Sequence, residues 1–266
     1  MSVAAIGLVV AIGFYLLARV ASQRLSTQSK HSSGPIHDPS VPADHPLIGL
    51  PLSRAVLRFF VSRQFWLITI SLTGMTIMWD FLYVLPLFLK KTLQMSDAGA
   101  TMAASAYPWG SLVSVLAGGF LFDAMSRRRM AWLMGGLLLI ATGCVFAFWQ
   151  MQNTPPADNL RVPAAVGLLF FYGIAIAPCY YIPMSVFSIR FGGPHAGFLV
   201  SLLDAIAFFI NAGFQWVGGE IAEKSWANYL MLLGTVSLTA AVTMLLFMLG
   251  EAREEESALR SSKDVS

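Results

Sequence analysis

Seven runs of about 20 apolar residues constrain this chain more tightly than any other feature. A helix needs roughly 20 apolar residues to cross about 30 Å of hydrocarbon. Within that layer it must satisfy its own backbone polar groups. The runs are Val3–Val20, Phe65–Leu89, Ala100–Phe122, Met130–Met151, Pro163–Phe187, Ala196–Val217 and Ala227–Leu249. Of the 266 residues, 56% are hydrophobic and 12% charged, against about 25% charged in soluble domains. The sequence predicts an all-α membrane protein with seven transmembrane helices. Short connections between the later runs predict antiparallel neighbours.

The intervals between the runs suggest the domain order. Residues 1–20 read as a true span rather than a signal peptide, because Arg19 and Arg24 follow the apolar run instead of preceding it. Residues 21–63 form a linker rich in Ser, Pro and His, with Ser32-Ser33-Gly34-Pro35 as an example. Within it, Arg54 and Arg58 lie one turn apart among Val56, Leu57, Phe59 and Phe60. That pattern suits a short helix lying on the membrane face. The alternative is a continuation of the next span that snorkels its arginines. Residues 64–250 would form a six-helix domain, and 251–266 a polar tail that is solvated or a frayed helix end.

Basic residues set the orientation. Thirteen of the 17 Lys and Arg fall on the side holding the linker, the Arg127–Arg129 loop, Arg190 and the tail. The other side holds Lys90, Lys91, Arg161 and Lys224. The positive-inside rule then places the N-terminus outside or lumenal and the C-terminus in the cytoplasm.

Several functions are disfavoured. The net charge of +3 arises from loop residues, so no nucleic-acid partner is implied. Cys144 and Cys179 lie inside apolar runs and suggest neither a disulfide framework nor a metal site. No nucleophile elbow, metal-ligand spacing or phosphate loop is found, so neither an enzyme nor a cofactor is expected. The four histidines, His31, His37, His45 and His195, all lie outside the runs.

Two acids lie within spans, Asp80 and Asp204. An intramembrane acid is costly and usually faces a cavity or a partner. At about 100° per residue, Asn211 and Gln215 fall within roughly 20° of Asp204. On the second span Thr69, Thr73, Thr76, Asp80 and Tyr83 share a face, and on the third Tyr107, Ser111 and Ser114 do so beside Trp109. Such stripes suggest an aqueous path, although Ser and Thr equally often join packed membrane helices. No Lys or Arg lies in the six spans after the first to neutralise the acids, so they need water, a cation or a proton. Trp79 could stack on a substrate or simply pack, and Tyr180 and Tyr181 could line the same path or equally form an aromatic belt near the interface. Pro178 and Pro183 flank Cys179-Tyr180-Tyr181 and would bend the fifth span.

The loop Gly118-Gly119-Phe120-Leu121-Phe122-Asp123-Ala124-Met125-Ser126-Arg127-Arg128-Arg129 resembles the signature loop of major facilitator superfamily transporters, Gly-x-x-x-Asp-basic-x-Gly-basic-basic. Gly119, Asp123, Arg127 and Arg128 match. Ala124 and Ser126 replace the first basic residue and the second glycine. Residues 53–249 resemble the C-terminal half of such a transporter, with Val3–Val20 similar to the last helix of the preceding half. The resemblance implies that the seventh, eighth, tenth and eleventh helices line a cavity while the ninth and twelfth are scaffold. The striped helices would be the seventh, eighth and eleventh, and the bland ones the ninth and twelfth. It also implies that Asp123 and the arginines form a cytoplasmic latch between two halves.

Two stretches resemble the organophosphate:phosphate antiporter group: Leu85-Pro86-Leu87-Phe88-Leu89 with Leu93–Ala98, and Phe187-Ser188-Ile189-Arg190-Phe191-Gly192-Gly193 with Gly197 and Asp204. That group binds phosphate esters through intramembrane arginines, and no arginine lies in Phe65–Leu89.

The resemblance implies a secondary transporter of a small polar solute working by alternating access, proton-coupled or antiporting. The chain as given is expected to be incomplete, supplying one half plus one helix. Its expected partners are membrane lipid, the solute, and a complementary half or a second copy. A rival reading is a non-transporting fragment that pairs with or regulates a full transporter. A seven-helix receptor fits the helix count, but the first cytoplasmic loop is too long and the last span lacks a lysine.

Overall fold

The computed structural model divides the chain into Met1–Ala43 and Asp44–Ser266. It describes residues 45–153 and 158–264. The expected span Val3–Val20 and most of the expected linker therefore lie outside the described residues. Among the described residues the structure is helical and contains no strand.

Helix α1 runs Leu52–Val61, after Pro51 in extended conformation. Ser62, also extended, separates it from α2, Arg63–Leu93. The Arg54/Arg58 stretch is thus a helix of its own. Ala55 and Phe59, four apart, are its buried residues, and Phe59 packs on Phe65 and Phe191 at ring distances of 6.4 and 5.6 Å. Leu57 and Val61 point outward.

Helix α2 has 31 residues, about 46 Å of rise, and so exceeds the hydrocarbon layer. It ends at Gln94 in the left-handed region, with Lys90 and Lys91 in its last turn, where cations favour the helix dipole. Helix α3, Asp97–Ala104, begins with the Ser96 hydroxyl accepting from the Gly99 amide. Helix α4 is Ala106–Ala124. The expected single span Ala100–Phe122 is therefore interrupted at Ser105. Pro108 explains the break, since it has no N–H for the Ala104 carbonyl and its ring crowds that carbonyl.

Helix α5 is Arg127–Asn153 and α6 is Asp158–Gly192. Helix α6 is continuous through Pro163, Pro178 and Pro183; the prolines do not end it. A 3₁₀ turn, Gly193–His195, leads into α7, Ala196–Lys224. Helix α8, Trp226–Asp264, carries the expected tail onward as helix. Among the described residues, four stretches are long and apolar enough to cross a membrane: Arg63–Leu93, Arg127–Gln152, Leu160–Lys224 and Trp226–Arg253. The third contains both α6 and α7.

The helices pack in an order with internal symmetry. Helix α4 lies on α6 as α7 lies on α2; α2 lies on α8 as α6 lies on α5; α5 and α8 lie on each other. These five contacts exchange among themselves when α2 is swapped with α6, α4 with α7 and α5 with α8, whereas the α6–α7 and α7–α8 contacts have no comparable counterpart. The α4–α6 seam is the closest. A Cβ built on Gly110 would overlap the Phe170 carbonyl, and one on Gly173 the Tyr107 carbonyl, so two backbones touch where side chains would normally intervene. Phe81, Phe88, Phe148, Tyr172 and Tyr229 fill the centre. Helices α5 and α8 are less enclosed: 44% and 39% of their apolar windows are buried, against 61% for α2.

Candidate functional site

The two intramembrane acids have different partners. Asp80 on α2 receives a hydrogen bond from the Asn211 side-chain amide on α7 at 2.5 Å. Gln215 donates to the Asn211 oxygen at 3.3 Å, extending the chain one turn along α7. Asn211 is buried. Asp204 lies two turns earlier on α7 and accepts from the Tyr180 hydroxyl on α6 at 3.5 Å, near the outer limit of a hydrogen bond. The stripe Asp204–Asn211–Gln215 is therefore shared between two neighbours. Its first residue meets α6, Asn211 meets α2, and Gln215 reaches α2 only through Asn211.

Trp79 lies between these contacts. Its ring centroid is 5.7 Å from Tyr107 on α4, 6.1 Å from Tyr180 and 6.0 Å from Tyr181 on α6. Tyr107 packs in turn on Tyr172 at 5.4 Å, and the Tyr172 hydroxyl donates to the Met78 carbonyl. This bond fixes α6 against α2 one residue before Trp79. The Tyr107 and Tyr229 hydroxyls are buried with no hydrogen-bond partner. Trp79, Asp80, Tyr180 and Asp204 are half-buried and Tyr181 is exposed, so the cluster reaches the surface of the bundle.

The remaining expected path residues are spread out. Thr76 and Thr69 are buried and bond the carbonyls one turn back, Leu72 and Phe65. Ser111 lies in the α4–α6 seam and bonds the Tyr107 and Gly173 carbonyls at 3.1 and 3.3 Å. Tyr83 follows Asp80 on the same helix but is 78% exposed. The structure thus brings together Asp80, Asn211, Gln215, Trp79, Tyr107, Tyr181 and Asp204. Thr76 joins the cluster through a side-chain hydrogen bond with Tyr180, while Ser111 lies in a packed helix contact.

At the other end of the bundle, a Cβ on Gly119 would meet open space, and the Asp123 side chain lies outside the described residues. Arg127 lines a small cavity with Phe187, Phe247 and Glu251. Arg190 on α6 pairs with Glu251 on α8 at 3.3 Å, and Glu251 is only 8% exposed. Arg128 borders Trp132 and Arg253. Sequence reasoning missed Glu251 because it follows the last apolar run and reads as the start of a tail. Tyr180 was legible together with Tyr181 between the two prolines, but its contact with Asp204 was not, and no sequence signal marks Tyr229.

Long apolar helices joined by short turns, with acids held between them, define a multi-pass integral membrane protein. A family model described as Major Facilitator Superfamily matches residues 1–204 and 78–264, and the chain belongs to that superfamily of membrane transporters. Comparison with curated proteins and with solved structures finds no match.

Proposed function

We propose that the chain is part of a secondary transporter that moves a small polar solute by alternating access, coupled to protons or to a counter-substrate. In this reading α2 to α8 form the six-helix C-terminal half, with α3 and α4 together as one span. The observation that carries it is the Asp80–Asn211 contact between α2 and α7. An acid held there has no Lys, Arg or His from Gln64 to Leu89 on its own helix, nor from Ala196 to Glu223 on α7. Such a group exchanges protons or holds a cation.

The test is uptake by reconstituted full chain under an imposed pH gradient. D80N and D204N are each expected to abolish gradient-driven uptake. Uptake whose pH dependence survives both substitutions removes the proton role.

The orientation expected from the basic residues is supported by their clustering. His45, Arg58 and Arg190 line one cavity, and Arg190 shares Glu251 with the Arg127 cavity. A complementary half or a second copy would complete the path. The exposed Trp109, Phe209 and Trp216 offer surface for that partner or for lipid.

A further inference from the structure

Building on the transporter reading above, we infer that the solute taken at this site is an organic cation, an amine or quaternary ammonium group with an apolar body. Charge is the first reason. Asp80 and Asp204 are the charged side chains in the central turns of α2, α4, α6 and α7; Arg63, Lys90, Lys91, Arg161, Arg190, Glu220, Glu223 and Lys224 lie toward the ends. An anionic ester would meet two carboxylates with no cation beside them, whereas a cation would be drawn to both.

The aromatic wall is the second reason. Tyr107, Tyr180 and Tyr181 surround Trp79 at ring distances of 5.7 to 6.1 Å. Ring faces attract a cation within about 6 Å, tryptophan most strongly. Tyr181 is 47% exposed while Tyr107 is 1% exposed, so the wall has an accessible front and a rigid back. Tyr180 joins wall to acid, because its hydroxyl is on Asp204. Asp80 follows Trp79 directly and is oriented by Asn211.

An inorganic metal ion fits less well. No group of three His, Cys, Asp or Glu side chains converges among the described residues, and aromatic faces replace the hydration shell of an alkylammonium better than that of a small hard ion.

The test is equilibrium binding of radiolabelled tetraphenylphosphonium to the purified full chain in micelles, with proteoliposome uptake alongside. Saturable binding is expected, displaced by tetraethylammonium and not by glycerol phosphate. W79A and D204N should each weaken it about tenfold, while W79F, which keeps an aromatic face and the packing, should stay within about threefold. Absence of saturable binding, binding indifferent to W79A and D204N, or displacement by glycerol phosphate would overturn the inference. Asp80-dependent uptake of a phosphate ester without cation binding removes the substrate class and leaves the transporter standing. Saturable cation binding without uptake of any tested cation keeps the site and shows that the chain by itself does not complete a transport path.

Discussion

Asn211 and Asp80 are 131 positions apart in sequence, and their side chains meet at 2.5 Å across the α2–α7 interface. A hydrogen bond to a charged group contributes about 1.5–3 kcal/mol. N211A should therefore lower the melting temperature in detergent and impair uptake, and N211L should do so at least as strongly. On a D80N background the effect of N211A should shrink. A double-mutant cycle showing no coupling between the two positions would dismiss the contact as energetically idle.

The α4–α6 seam makes a sharper contrast. G173A forces a methyl group into the Tyr107 carbonyl, and overpacking of this kind costs about 1–3 kcal/mol. G119A enters open space and is expected to fall within about 0.5 kcal/mol of the parent. Melting curves of the two variants side by side decide the matter; equal melting temperatures would contradict the packing described.

Arg190 and Glu251 join the ends of α6 and α8. The arginine side chain is 40% exposed, so solvent screens the pair and its loss is expected to cost about 1 kcal/mol rather than the several typical of fully buried pairs. R190A should melt earlier than R190K, and R190E earlier still, since it sets a second carboxylate against Glu251. High salt should narrow the differences.

Phe59 holds α1 to the bundle through Phe65 and Phe191. Truncating a fully buried phenylalanine costs about 3–5 kcal/mol. F59A is expected to release α1, read as faster proteolytic cleavage near Ser62, while V61A, at an exposed position, leaves the cleavage rate unchanged.

What could be read in the sequence follows from the range of each interaction. Helices were legible because a run such as Met130–Met151 is long enough to be nothing else in a membrane, and that run lies within α5. The interruption at Ser105 was written in Pro108 but hidden by the unbroken apolarity around it. Helical spacing puts Asp204, Asn211 and Gln215 on one face, yet it cannot tell that the first meets Tyr180 and the second Asp80. Those choices depend on the tilt of α7 between α2 and α6, which no local pattern encodes. Thr69 and Thr76 look alike as a polar stripe in one dimension, yet Thr69 satisfies its hydroxyl on its own helix while Thr76 also bonds Tyr180 across the interface. Glu251 reads as the start of a tail until α8 is seen to continue past the apolar run to Asp264.

The glycine seam also divides the bundle mechanically. With backbone lying on backbone at Gly110 and Gly173, α4 and α6 have no side-chain layer at that crossing in which to slide, which ties Tyr107 on one helix to Tyr180 and Tyr181 on the other. Helix α7 is tethered differently, with two polar threads ending on Asp80 and Asp204. Neutralising either acid removes the charge from one of these two contacts, so the polar attachment of α7 to α2 and to α6 weakens with the protonation of Asp80 and Asp204, while the buried Leu199, Leu203 and Ala207 keep the helix packed.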